Sequence, residues 1–136
     1  MEFEPLKYIA KDEIKEKENK QMISSRITNG WLQVAAFSDD ATREISSFQA
    51  RCSQPELKEL IAHLEAASIR VYSYDMNHTT PEAKEDYQKG ILIQGKLKLV
   101  RVDLSTYSLF ILFKSSYMDT SLEQLDPLIK SLKDLL

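Results

Sequence analysis

The run Gly90–Phe113, GILIQGKLKLVRVDLSTYSLFILF, constrains the fold more than any other part of the chain. Its dense apolar alternation predicts two long strands folded back on each other. Ile91–Ile93 and Leu97–Leu104 read as one strand interrupted at Gly95, where a glycine suits a bulge or a bend. Val100, Val102 and Leu104 share one face; Leu97 and Leu99 begin the other, which Arg101 and Asp103 continue toward solvent. Ser105-Thr106, with a neighbour taken in, forms the turn, and Tyr107–Lys114 returns. Tyr107, Leu109, Ile111 and Phe113 make one face of the return strand, while Phe110 and Leu112 interrupt the polar pattern of the other. A strand that is apolar on both faces must be covered on both, by its own chain or by another.

The remaining elements supply limited cover. Asn29-Gly30 tolerates positive φ and predicts a hairpin between Ile23–Ile27 and Trp31–Phe37. Trp31–Phe37 is apolar on both faces and reads as an interior strand; Thr42–Arg51 reads as an edge strand. Ser53–Ala67 carries the strongest helix signal. Ser53 and Glu56 match a capping box, Pro55 sits in the first turn, and Leu57, Leu60, Ile61, Leu64 and Ala67 form one stripe. Ile69–Asp75 reads as a short strand. Thr79 or Thr80, followed by Pro81, opens a short surface helix that Gly90 ends. Tyr117–Asp119 reads as a turn and Ser121–Leu125 as a single short turn of helix. The final helix is expected to have Asp126 as its cap and Pro127 as its first residue. Leu128, Ile129, Leu132, Leu135 and Leu136 give it an apolar face, and Lys130 and Lys133 suit its negative end. Residues 5–22 are highly charged, with Glu13/Lys17 and Glu16/Lys20 in helix-supporting order over a thin stripe of Leu6, Ile9, Ala10 and Ile14.

The expected organisation is a charged helical arm over 1–22 and a single α+β domain over 23–136. The domain would be a mostly antiparallel sheet of about four to five strands with two main helices packed on it. Two helices can cover one face of such a sheet, which leaves the other short of cover.

Charge and cysteine content narrow the function classes. The net charge is −3 with cations scattered along the chain, so no field draws nucleic acid. One cysteine, Cys52, permits no internal disulfide and fits a reducing compartment. The N-terminal residues carry no signal core, and no apolar run is long enough to span a bilayer, so the expected location is the cytoplasm.

Candidate chemistry is sparse. The three glycines are too few for a phosphate-cradling loop, and no nucleophile elbow, zinc-protease or paired-cysteine motif occurs. His63 lies one helical turn after Glu59, where an i,i+4 hydrogen bond is the expected use. Asp75 and His78 share a spacing that suits a metal, yet lack an evident third ligand. Asp75 at a strand end, followed by Gln94-Gly95-Lys96, loosely matches nucleases in which carboxylates hold a metal and a lysine polarises water; Gln94 stands where the second carboxylate belongs. Asp39-Asp40 reads as a solvated turn. Cys52 precedes a helix N-terminus, a position that lowers a thiol pKa, although a semi-buried small residue is the simpler reading.

The primary expectation is therefore a non-catalytic protein-interaction module of adaptor, assembly-chaperone or immunity type, without cofactor or metal. It would bind a partner protein, or itself as a homodimer, through Tyr107, Leu109, Phe110 and Leu112 of the return strand or Leu128 and Leu132 of the last helix. Two alternatives are a small metal-assisted hydrolase or nuclease using Asp75, His78 and Lys96, and a small-molecule sensor with a pocket between helix and sheet near Trp31 and Tyr72.

Overall fold

The computed structural model describes residues 23–37 and 44–136; the charged arm and the Asp39-Asp40 turn lie outside the described residues. Asn29 and Gly30 adopt φ of 54° and 80°, and the chain turns on them. This closes the hairpin between β1 (Ile23–Thr28) and β2 (Trp31–Phe37), in the register Ile23↔Ala36 to Thr28↔Trp31. On its other side β2 pairs antiparallel with β3 (Glu44–Arg51), so the two-faced strand is the centre of a three-stranded sheet. Leu32, Val34 and Ala36 enter the main core; Ala35 and Phe37, on the opposite face, are equally buried.

Helix α1 (Gln54–Met76) begins as its sequence dictates. Glu56 N–H donates to Ser53 Oγ at 3.3 Å, and Ser53 N–H donates to Glu56 Oε1 at 3.0 Å, completing the capping box. It does not end at Ala67. The expected strand Ile69–Asp75 is the last two turns of the same helix. No Gly or Pro interrupts it, and the low helix propensity of Ile69, Val71, Tyr72 and Tyr74 costs only tenths of a kcal/mol per residue. Tertiary ties outweigh that cost. Val71 packs on the core, Arg70 pairs with the buried Asp86, and Tyr74 stacks on Tyr87 at 5.9 Å. Helix α2 (Pro81–Lys89) lies at the surface, capped by Thr80 Oγ1 and ended by Gly90 at φ 82°.

The organising run then folds as two hairpins' worth of strand. The bend at Gly95 is a full reversal: β4 (Ile91–Gly95) pairs with β5 (Lys98–Asp103) around Lys96-Leu97. Leu97, at φ 60°, takes the left-handed conformation. Gly95 serves another purpose, since a Cβ there would collide with the His63 ring on α1. A four-residue loop, Leu104–Tyr107, leads to β6 (Ser108–Phe113), with Tyr107 at φ 54°. The turn expected at Tyr117–Asp119 falls earlier, on Lys114-Ser115, and Tyr117–Asp119 is the middle of β7 (Ser116–Ser121). The sheet order is β4-β5-β6-β7, antiparallel throughout. The fold is thus α+β, with a three-stranded and a four-stranded antiparallel sheet.

The sheets meet along β3 and β7, where serine hydroxyls bridge the backbones. Gln49 N–H donates to Ser116 Oγ at 3.4 Å, and Asp119 N–H donates to Ser46 Oγ at 3.1 Å. A 3₁₀ turn (Leu122–Gln124), capped by Ser121, leads into α3 (Leu125–Lys133). Asp126 does not cap α3, which begins one residue earlier; its carboxylate accepts from Ser68 Oγ at 2.8 Å and ties α3 to α1. Pro127 remains in the first turn, where no N–H is needed. Helix α1 lies on β4, β5 and α3, and α3 lies on β1. One core cluster joins both sheets and both helices through Leu32, Leu60, Leu64, Leu109, Ile111 and Leu132.

Candidate functional site: the outer face of the four-stranded sheet

Because alternate residues of a strand face opposite sides, the register fixes what lies on the sheet's outer face. One row across the strands is Leu92, Arg101, Phe110, Asp119; the next is Gln94, Leu99, Leu112, Tyr117. The inner partners Ile91, Val100, Val102, Leu109, Ile111, Phe113 and Met118 are fully buried against the helices. On the outer side Leu92 and Tyr117 are exposed, Leu99, Phe110 and Leu112 are half-buried, and no described element lies over them. Phe110 and Tyr117 pack ring to ring at 5.8 Å, giving the middle of the face an aromatic ridge.

Charge is distributed unevenly along the same surface. A shallow cleft of about 240 Å³ is lined by Arg101, Asp103, Ser108, Phe110 and Asp119. Asp103 is held by its own loop: its Oδ1 accepts from Ser105 N–H at 3.1 Å and from Ser105 Oγ at 2.7 Å. These bonds, the hydroxyl's above all, hold the carboxyl below its ordinary range. The arrangement offers an apolar stripe flanked by a cation and by carboxylates.

The residues expected to bind a partner divide sharply. Phe110 and Leu112 are on the open face. Leu109 (0% exposed), Leu128 (1%) and Leu132 (0%) belong to the core and cannot meet a partner. The last helix turns Leu128, Ile129 and Leu132 inward against α1 and β1, while Leu136, just past its end, is exposed. Tyr107 is exposed, but it lies in the β5–β6 loop and faces a groove beside α1, away from Phe110 and Leu112.

The alternative sites are not assembled. His63 packs against Gly95, next to Lys96, whereas Asp75 is twelve residues further along α1, about 18 Å at the helical rise. His78 is committed at the far end, its Nδ1–H donating to Tyr74 O at 2.6 Å. His63 makes the expected i,i+4 bond, but to the backbone: its Nδ1–H donates to Glu59 O at 2.8 Å. The Glu59 carboxylate instead pairs with the buried Lys98 at 2.6 Å. Among the described residues no group of three or more His, Cys, Asp or Glu gathers as a metal site. Trp31 sits under Arg51 near the start of α1, and Tyr72 is near its end, so the two line no common pocket.

Cys52 is a buried small residue, as its simpler reading expects. Burial first, and the Glu56 carboxylate second, push the thiol up to about 11 against the opposing pull of Lys114 and Lys98. The helix N-terminus does not activate it.

One surface feature escaped the sequence reading. Ile69, Tyr72 and Met76 are 66%, 66% and 68% exposed, on one side of the part of α1 that was expected to be a strand. Their spacing of three and four is legible only once that segment is known to be helical.

No known protein family, curated protein or solved structure matches this chain. Among the described residues no helix is long and apolar enough to cross a membrane.

Proposed function

We propose that the protein is a non-catalytic interaction module that pairs with a second copy of itself through the outer face of the four-stranded sheet. The observation that carries this reading is the contiguous open surface of Leu92, Leu99, Phe110, Leu112 and Tyr117, which has no described cover. Large accessible apolar patches on soluble proteins mark contact sites. Charge placement favours a homotypic partner. Arg101 and Asp119 flank Phe110 in one row. A two-fold axis running along β6 exchanges the neighbouring strands, and so sets Arg101 opposite Asp119 of the partner subunit. Such self-complementarity is what a two-fold interface requires. Adaptors, assembly chaperones and immunity proteins all act by presenting a surface of this kind, and a reducing cytoplasm suits the lone buried thiol.

The test is sedimentation velocity over a concentration series. The expected result is a dimer that Phe110→Asp converts to a folded monomer. Arg101→Asp and Asp119→Arg should each weaken the dimer, and the double exchange should restore it. A wild-type monomer across the series, or a dimer indifferent to Phe110→Asp and Leu112→Asp, would overturn the proposal.

A further inference from the structure

The second half of α1 borders a groove that the dimer reading does not use. Its opposite wall is the β5–β6 loop and the 3₁₀ turn, and it encloses about 410 Å³. The apolar lining is Ile69, Val71, Tyr72 and Tyr107, closed at the base by Leu122 and Leu125. Ile69 and Tyr72 are each 66% exposed and Tyr107 52%, an unusual exposure for side chains of this size on neighbouring walls. Every charge on the lining has the same sign. Asp75, Glu123 and Asp126 stand on it, and neither Lys nor Arg does. Asp126 has a local partner in Ser68 Oγ, whereas the ion pairs formed among the described residues include neither Asp75 nor Glu123.

We infer that this groove binds a basic amphipathic helix of a partner protein, with its apolar side chains between Tyr72 and Tyr107 and its Lys or Arg residues against Asp75, Glu123 and Asp126. Three features select this occupant. The apolar walls are a helix and a short loop, a shape that takes a helical ridge of i, i+3/i+4 side chains. The volume holds a few such side chains. The uniform negative rim repels an acidic segment and attracts a cationic one. A second copy of this chain is a poorer fit at this site, because its own groove would bring the same three carboxylates face to face.

The probe is a synthetic helix of about 14 residues with leucines at i, i+3, i+4 and i+7 and lysines elsewhere, measured by calorimetry against the full chain. Its control is the same peptide with glutamate in place of lysine. The lysine peptide should bind at least about tenfold tighter than the glutamate peptide. Tyr72→Glu should abolish binding at an unchanged thermal midpoint, since Tyr72 is exposed. Asp75→Asn with Glu123→Gln should weaken it and flatten its salt dependence. Phe110→Asp, on the sheet face, should leave it unchanged, so that this site and the dimer face fail or stand separately. Absence of binding, equal affinity for both peptides, or binding that Tyr72→Glu leaves intact would overturn the assignment. So would binding lost on Phe110→Asp.

Discussion

On β6, Leu109, Ile111 and Phe113 join the cluster formed with Leu60, Leu64 and Leu132, while Phe110 and Leu112 lie on the side that no described element crosses. The two sets alternate along six residues and have nearly the same hydrophobicity. What separates them is supply. Among the described residues α1 lies on the inner side of this sheet, over β4 and β5, while α3 packs on α1 and on β1 of the other sheet. The three-stranded sheet differs again, since Ser24, Ala35 and Phe37 on its outward side are also buried. Among the described residues exposed apolar side chains gather on the outer face of β4–β7 and on the far half of α1, while Ile45, Tyr87, Leu97 and Leu136 are exposed singly elsewhere. An apolar residue in this chain reports burial only together with the direction in which its strand faces.

The largest effect should come from the inner face. Leu109→Ala removes a fully buried side chain between sheet and helices and should lower stability by about 2–5 kcal/mol. Phe110→Ala, one residue away, should lower the stability of the isolated subunit by less, because part of that ring remains in contact with water. Urea denaturation of both variants at low protein concentration reads the difference. Equal losses would mean that the outer face is packed within the subunit, and the contrast between the faces would collapse.

The edge of the inner face gives a second, smaller test. Gly95 lies where a Cβ would meet the His63 ring, which is held by Glu59 O. Gly95→Ala should cost about 1–3 kcal/mol through overpacking. Removing the obstacle should relieve it, so Gly95→Ala combined with His63→Ala should cost less than the sum of the single changes. Strict additivity in that cycle would show that the glycine is needed for its backbone and not for its close approach to α1.

Much of this was legible in the residues, and the failures share a cause. The Asn29-Gly30 hairpin, the Ser53/Glu56 capping box and the Thr80–Gly90 helix each rest on chemistry local to a few side chains. The inner and outer faces of β5 and β6 follow from strict alternation. The segment Ile69–Asp75 was misread because its β-branched and aromatic residues favour strand locally. The restraints that keep it helical come from Asp86, Tyr87 and the core. Gly95 reads from sequence only as a bulge or a bend, because the ring of His63 that it must clear is 32 positions away. Tyr117–Asp119 carries no strong strand signal, and becomes one through pairing such as Ile111↔Met118. The candidate interface was legible only in part. Phe110 and Leu112 stand out in the pattern, whereas Leu109, Leu128 and Leu132 could be assigned to the core only once their direction was known. The groove beside α1 stayed hidden until the helix was seen to continue.

The smallest expected effect concerns how the inner face is anchored to the start of α1. Glu56 accepts from Ser53 N–H and pairs with Lys114 at 3.0 Å, and Lys114 Nζ also donates to Arg51 O at 2.6 Å. The capping bond first, and the Lys114 bond second, lower the Glu56 carboxyl from its ordinary 4.5 to about 2. A folded-state pKa depressed in this way stabilises the protein when the group is ionised. The contribution is therefore complete above pH 4.5 and is lost as pH falls toward 2. The side chain is a third exposed, so solvent screening keeps the ion-pair share within roughly 0.2–1 kcal/mol. Glu56→Gln keeps an acceptor for Ser53 and discards the charge. It should be less stable than the wild type at pH 7, with a gap that closes as pH drops from about 4.5 to about 2, as read by urea denaturation at each pH. A gap that persists unchanged to pH 2 would assign the role of Glu56 to the hydrogen bond alone. The tie from α1 to the β6–β7 turn would then hold through Lys114 and the Arg51 carbonyl without the carboxylate.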